Sequence, residues 1–232
     1  MKTGIVAYAH ELGADLVGVA DLEHVRGIET SPAGLLAPFT RAIVMGVQLG
    51  VEVFEQIQTE PTPLYAREYT QANGLLDRAS LLLQQKLSAL GHRALAIPAA
   101  QTVDRDRRLG HVSTKALAKA AGLGWIGKSL LLVTPEYGPR VRIGCVLTDA
   151  PLMPDPVMMN RCGSCTRCKD ACPVGAIYGA SWEDHPPSRE DAIDLSKCVE
   201  RLGRNAQIPG IGANICGVCI KVCTWAQTRQ PA

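Results

Sequence analysis

The chain has 232 residues, of which 47% are hydrophobic, and its formal net charge is +2. This hydrophobic content excludes a disordered chain, and the length suffices for one or two domains with buried cores. The charge is spread without a basic block and aromatic residues make up only 4%, so nucleic acid is not an expected partner.

The first 150 residues alternate helical and strand-like patterns. Helices are predicted over residues 2–11, 64–90 and 112–121, and strands over 14–20, 42–49, 94–97, 129–134 and 140–147. The last two strands flank a turn at residues 135–139 and predict an antiparallel hairpin. A hairpin indicates an α+β fold rather than a doubly wound parallel sheet.

A proline-rich segment marks the predicted domain boundary. Three prolines lie between Pro151 and Pro156, and the chain beyond them has long loops and most of the cysteines. We therefore predict an α+β domain over residues 1–152 and a cysteine-rich domain over 153–232.

No apolar run reaches the roughly 18 residues of a membrane span, so we expect no membrane partner. The residues from Met1 to Gly4 begin no apolar signal core and contain no twin-arginine pair. We therefore expect a cytoplasmic location, where cysteines are kept reduced.

Eight of the nine cysteines lie between Cys162 and Cys223, in two groups. The first has the bacterial ferredoxin spacing C-x2-C-x2-C-x3-C-P, in which three thiolates bind one [4Fe–4S] cluster and the fourth binds another. We predict two clusters with crossed ligands. The first set is Cys162, Cys165, Cys168 and Cys223, and the second is Cys172, Cys198, Cys216 and Cys219.

Two zinc sites or four disulfides are the alternatives for these eight cysteines. Zinc sites usually pair C-x2-C groups, often with histidine, and no histidine lies in either motif. A reducing compartment disfavours disulfides. The ninth residue, Cys145, lies in an apolar strand and is predicted to be a core residue.

The segment Gly122–Ser129 matches the phosphate-loop pattern G-x4-G-K-[ST]. That pattern requires a strand before it and a helix after it, because the helix amino terminus receives the phosphates. Here a predicted helix precedes and a predicted strand follows, so a nucleotide site is not expected. Lys128 can still meet an anion or lie at a strand edge.

Four stretches in order along the chain resemble the epoxyqueuosine reductases, which are related to the corrinoid reductive dehalogenases. They are A-A-G-L-G-W-I-G-K ending at Lys128, L-L-V-T-P-E-Y-G-P-R ending at Arg140, L-T-D-A-P-L ending at Leu152, and the ferredoxin run. The resemblance implies a nitroreductase-like, cobalamin-binding-type α+β domain followed by a ferredoxin-like double-cluster domain. It further implies electron transfer through the clusters to a cobalamin that reduces the substrate.

Two departures from the family change what we expect. Members that act on tRNA continue into helical repeats, whereas this chain ends nine residues after Cys223, so a tRNA substrate is not expected. The family's catalytic aspartate lies upstream of the A-G-L-G-W segment. An ungapped count from that segment places Arg108 at the position of the family's aspartate. Asp106 and Asp104 lie two and four residues earlier.

The segment Asp104–Lys115 is the first candidate for the polar lining of a cofactor or substrate site, because functional residues concentrate on such loops. His111, Asp104 and Asp106 are the candidate proton donors, and Arg108 and Lys115 can hold a phosphate or carboxylate. The alternative to a functional site is a solvated charged loop. Other candidate cofactor-binding residues, with a surface or structural role as the alternative for each, are Tyr65, Arg67, Lys128, Tyr137 and Arg140.

These observations favour an iron–sulfur oxidoreductase that passes electrons through two clusters to a substrate or corrinoid held by residues 1–152. The alternative is a non-catalytic electron carrier, or a reductive activator that docks on a corrinoid protein. A scaffold with purely structural clusters is the third hypothesis. The expected partners are an electron donor of the ferredoxin or flavodoxin type and a small-molecule substrate or corrinoid, and a homodimer is compatible with the fold.

Overall fold

The computed structural model describes residues 1–104 and 106–227. The helices are α1 (Lys2–Glu11), α2 (Val51–Glu55), α3 (Pro63–Ala89), α4 (Thr114–Ala120), α5 (Arg167–Asp170), α6 (Arg189–Ala192), α7 (Leu195–Ala206) and α8 (Val218–Lys221). The strands are β1 (Leu16–Asp21), β2 (Arg41–Gln48), β3 (Ala94–Ile97), β4 (Trp125–Ile126), β5 (Leu132–Val133) and β6 (Val141–Thr148). No helix in the described part of the chain has the length and apolar character needed to cross a membrane.

The chain packs into two units, each made of three segments. The sheet unit consists of Met1–Val47, Ala72–Leu123 and Arg142–Met158. The cysteine unit consists of Gln48–Gln71, Gly124–Val141 and the described residues from Met159 onward. Two segments that precede residue 152 therefore pack with the cysteines, while the linear division at 152/153 stays a prediction.

A four-stranded sheet forms the centre of the sheet unit, in the order β1-β2-β6-β3. β1 pairs antiparallel with β2, and β3 pairs antiparallel with β6. The central strands β2 and β6 are buried along almost their whole length, as strands covered on both faces are. The α3 residues Leu76, Leu83 and Leu87 are also fully buried, at the three- and four-residue steps of an amphipathic helix. The α+β prediction is confirmed.

The predicted hairpin between residues 129–134 and 140–147 is wrong. β5 pairs with β4 in a separate two-stranded sheet, whereas β6 lies between β2 and β3. The turn between them is closed by Thr134, whose backbone exchanges hydrogen bonds with Gly138 at 3.0 and 2.9 Å. The Thr134 hydroxyl also accepts from the Tyr137 amide at 3.1 Å. The sequence pattern could not reveal this arrangement, because it marks both strands as buried without specifying their partners.

The proline-rich segment lies along β1 in the sheet unit. The Asp155 amide donates to the Val19 carbonyl at 2.8 Å, and the Val19 amide donates to the Asp155 carboxylate at 2.9 Å. The Lys2 ammonium lies 2.6 Å from the same carboxylate. These contacts fix the chain shortly before it enters the cysteine motif.

Gly18 in β1 provides a test of packing within the sheet unit. A Cβ atom at this position would lie 2.2 Å from the Ala121 carbonyl oxygen at the end of α4. We expect Gly18→Ala to reduce the free energy of unfolding by about 1–3 kcal/mol, as overpacking does. The measurement is urea unfolding followed by circular dichroism.

Gly4→Ala is the matched control, because a Cβ atom there meets nothing within 4 Å and lies inside α1. We expect it to leave stability unchanged or to raise it by up to about 1 kcal/mol, through the helix preference for alanine. Equal urea midpoints of unfolding for the two variants would contradict the close approach of β1 to α4.

Candidate metal centre

Two cavities in the cysteine unit contain the two predicted sets of four cysteines. The first cavity is lined by Cys162, Cys165, Cys168 and Cys223, and the second by Cys172, Cys198, Cys216 and Cys219. Cys219 lines the first cavity as well. Each cavity therefore draws on both sequence groups, and the two cavities share a cysteine.

Short helices and turns place the cysteines around these cavities. A turn in which the Cys165 amide donates to the Cys162 carbonyl at 3.1 Å leads into α5, which carries Cys168. Helix α5 packs against α8, which carries Cys219. This packing brings cysteines from distant parts of the sequence to the boundary between the two cavities.

Asn160 fixes the start of the first motif. Its side-chain amide donates to the Ile126 carbonyl in β4 at 3.0 Å, and its side-chain oxygen accepts from the Cys162 amide at 2.8 Å. The Trp182 indole also donates to the Ile126 carbonyl, at 2.9 Å. The two-stranded sheet thereby holds the first cysteine in place.

Cys168 and Cys219 lie close to other cysteines, and their surroundings change the acidity of these two thiols. Burial, together with the neighbouring groups Cys162, Cys223 and Cys165, raises the pKa of Cys168 to about 11. Burial likewise raises the pKa of Cys219, together with neighbours that include Cys216 and Cys198. Thiolates so placed repel one another and need a positively charged partner, which iron supplies.

The donors that line the cavities also suit iron–sulfur clusters. The Lys128 side chain is 4% exposed, and its ammonium donates to the Cys165 carbonyl at 3.1 Å in the first cavity. In the second cavity, Arg201 donates through Nη2 to the Thr59 carbonyl at 2.7 Å. The buried Arg201 Nε has no hydrogen-bond partner among the described residues. A cluster sulfur is an acceptor that this nitrogen could use.

The segment that resembles a phosphate loop is part of the first cavity. Trp125–Ile126 forms β4, and Gly127, Lys128 and Ser129 line the cavity. A Cβ atom on Gly127 would lie 2.7 Å from Val133 Cγ2 and 3.5 Å from Cys162 Sγ. The glycine therefore permits the close packing of the two-stranded sheet against the cysteines, which a phosphate loop would not require.

Sequence reasoning missed several residues that line the cavities or support them. Arg161 and Arg167 line the first cavity, and the Arg161 guanidinium lies 5.8 Å from the centre of the Trp125 ring. The Trp125 and Trp225 rings meet edge to face, with their centroids 4.9 Å apart. Arg161 and Arg167 directly precede cysteines of the motif, which is the signal that could have identified them.

The structure anchors two of the predicted cofactor-binding residues to the cysteine unit itself. The buried Arg140 guanidinium donates to the Ala226 carbonyl at 2.6 Å and to the Leu49 carbonyl, and burial lowers its pKa. Tyr65 is buried, with its ring 4.8 Å from the Phe54 ring. Tyr137 is buried in the turn before β6, and Arg67 is exposed on α3.

The remaining candidates lie in a loop of the sheet unit. Asp104 and Leu109 exchange backbone hydrogen bonds at 3.1 and 3.0 Å, and the Asp104 carboxylate accepts from the Arg107 amide at 2.9 Å. Asp106 and Arg108 are exposed in this turn, and Lys115 is half-buried on α4.

His111 has a defined orientation at the end of this loop. Its Nδ1 lies 2.6 Å from the Ser31 carbonyl oxygen, and its backbone amide donates to the Gln101 side chain at 2.8 Å. Because a carbonyl oxygen can only accept a hydrogen bond, this contact requires a proton on Nδ1.

The nine cysteines all lie in the described residues, and none of them forms a disulfide. Within the same residues, no group of three or more Cys, His, Asp or Glu side chains has the arrangement that suits a single metal ion. Cys145 is fully buried in β6, and burial raises its pKa to about 12. It is a core residue, as its apolar strand predicts.

Comparison with known proteins agrees with the cysteine pattern. A family model described as a 4Fe-4S double cluster binding domain matches residues 161–226. This match confirms the prediction of two [4Fe–4S] clusters. An epoxyqueuosine reductase from Listeria monocytogenes is 29% identical over 204 residues, which cover 77% of this chain and 53% of that protein. The chain thus spans about half the length of the curated relatives it matches.

Solved structures share the fold. A reductive dehalogenase whose structure suggests a mechanism for B12-dependent dehalogenation aligns with a TM-score of 0.74 at 23% identity. The alignment covers 97% of this chain and 31% of the dehalogenase chain. An epoxyqueuosine reductase with an epoxyqueuosine-modified tRNA-Tyr stem loop aligns with a TM-score of 0.65 at 22% identity, covering 97% of this chain and 65% of its own. The expectation that nucleic acid is not a partner therefore gains no support. The chain is an iron–sulfur protein that resembles the epoxyqueuosine reductases in sequence and shares its fold with them and with the reductive dehalogenases.

Proposed function

We propose that this chain is an iron–sulfur oxidoreductase that passes electrons through two [4Fe–4S] clusters to a substrate or corrinoid bound by residues 1–152. The observation that carries the proposal is the pair of cysteine-lined cavities with Cys219 in common. Two clusters that share a boundary can exchange electrons directly, which a single structural cluster cannot do. The similarity to epoxyqueuosine reductases supports a reductase rather than a carrier.

The lining of the cavities supports crossed ligand sets. We propose that Cys162, Cys165, Cys168 and Cys223 hold the first cluster, and Cys172, Cys198, Cys216 and Cys219 the second. The electrostatic neighbours of Cys168 and Cys219 support the same grouping, because most of them belong to the same set.

In this proposal, His111 delivers the proton that accompanies reduction. The hydrogen bond to Ser31 fixes the ring and directs proton exchange to Nε2. Lys115 and Arg108 would bind an anionic group of the substrate or corrinoid. A bound corrinoid would supply a strongly reducing metal centre that the side chains of this chain cannot provide.

A direct experiment combines cofactor and substrate. The anaerobically reduced protein is mixed with hydroxocobalamin, and the Co(II) EPR signal is recorded. An epoxyqueuosine-modified tRNA-Tyr stem loop is then added as the substrate probe. In place of the sequence expectation, we propose this stem loop as the substrate because of the similarity to epoxyqueuosine reductases. We therefore expect a perturbed cobalt signal and formation of queuosine. An unperturbed signal without product, from protein with both clusters, would favour the electron carrier instead.

Single cysteine exchanges test the crossed ligands. We expect Cys172→Ala to remove the second cluster, and Cys223→Ala to remove the first, although each residue belongs to the other sequence group. The measurements are iron content, which falls from about eight to about four per chain, and the EPR spectrum of the remaining cluster.

Cys145→Ala is the control, because this buried cysteine lies on β6 in the sheet unit. It should retain the full iron content. The crossed assignment is wrong if the cluster lost in Cys172→Ala is the one lost in Cys165→Ala, rather than the one lost in Cys216→Ala.

An exchange of His111 tests the proton donor. We expect His111→Gln to lower the rate of stem-loop reduction by about 10²- to 10⁴-fold, which is the usual contribution of general acid catalysis. Iron content should not change. His10→Gln is the control, because His10 Nδ1 also lies close to a backbone carbonyl, that of Ala14, at 2.7 Å. Equal rates for the two variants would exclude His111 as the donor.

A further inference from the structure

The first cavity is rich in positive charge. Three of the side chains that line it are cationic, Lys128, Arg161 and Arg167, and no carboxylate of the described residues lines it. Lys128 is the most buried of the three, and its ammonium lies 3.1 Å from the Cys165 carbonyl oxygen. Arg161 and Arg167 are exposed, so solvent screens their charge more strongly.

The second cavity has a different lining. Arg201 is its one cationic side chain among the described residues, and the Arg201 guanidinium lies 3.8 Å from the Glu60 carboxylate. Most of the other residues around the cysteines are apolar, namely Pro173, Val174, Ala176, Ile177, Ile193, Leu202 and Val218. The charge next to the second set of cysteines is therefore smaller and partly neutralised.

A cluster held by four thiolates is an anion and becomes more negative when it accepts an electron. Cations close to the cluster stabilise the reduced form more than the oxidised form, and an apolar lining does the reverse. The buried Lys128 ammonium acts in a region of low dielectric constant, where its effect is strongest. The Arg201 N–H groups also favour reduction of the second cluster, but Glu60 opposes them.

We propose that Lys128, assisted by Arg161 and Arg167, gives the first cluster the higher reduction potential of the two. In the transfer step the reduced second cluster loses one electron and the oxidised first cluster gains it, with no proton or bond change. An electron that enters the pair therefore resides mainly on the first cluster. This inference rests on the two-cluster function proposed above, in which Lys128 is a tuning residue that does not bind iron.

The test is an anaerobic potentiometric titration followed by EPR, with the Cys172→Ala and Cys223→Ala variants used to assign each signal. In the unmodified protein, the first cluster is expected to be reduced before the second. Lys128→Met should lower the ratio of reduced to oxidised first cluster by about tenfold at a given potential, a shift of about 59 mV for one electron. The potential of the second cluster should change much less.

Two further variants separate charge from structure. Lys128→Arg retains the charge and should keep the original order of reduction. Lys221→Met removes a lysine from the second cysteine group, where its ammonium donates to the carbonyls of Glu55 and Ile57. It should change the reduction potential of the first cluster by only a small fraction of the shift that Lys128→Met causes.

Unchanged potentials in Lys128→Met, or an unmodified protein whose second cluster is reduced first, would overturn the inference. If Lys128→Met does not assemble the first cluster, Arg161→Ala and Arg167→Ala decide the question. Each should shift the first cluster in the same direction by a smaller amount, and no shift in either would contradict the proposal. Fewer than about eight irons in the unmodified protein would instead contradict the two-cluster function itself.

Discussion

The eight partly buried cysteines of the two cavities can all be thiolates only when positive charge accompanies them. As thiolates they repel one another, and burial alone raises the pKa of Cys168 and Cys219. Iron removes the protons and supplies the missing charge, so that metal binding and folding are coupled. Much of the cysteine unit is arranged around this requirement.

Four of the cysteines pack directly against apolar core of the cysteine unit. A cluster of five buried apolar residues packs against partly buried Cys168, Cys172, Cys198 and Cys219; the five are Ile126, Leu130, Ile177, Ala192 and Ile193. Segments 48–71 and 124–141 also help to hold the cysteine motifs in place. Arg201 donates a hydrogen bond to the Thr59 carbonyl, and Asn160 donates one to the Ile126 carbonyl.

The surroundings of the two cysteine sets differ more than their sequences suggest. Both sets consist of four cysteines, but the first has a buried ammonium and the second has a guanidinium close to a carboxylate. Electrostatic differences of this kind set the direction of electron flow without altering the ligands. The polar loop that carries His111 lies in the sheet unit, where the Ser31 carbonyl orients the imidazole ring through Nδ1.

The sequence by itself determined the α+β class, the two-cluster cofactor and the core position of Cys145. These depend on local spacing and periodicity, which the backbone converts directly into turns, helices and strands. Only the tertiary structure decided that β5 leaves β6 and pairs with β4, and that Arg140 is anchored to main-chain carbonyls. It also decided that Lys128 meets the cysteines while Arg201 lies near Glu60. Such contacts join residues far apart in the chain, and they depend on how whole elements pack, which spacing along the sequence does not specify.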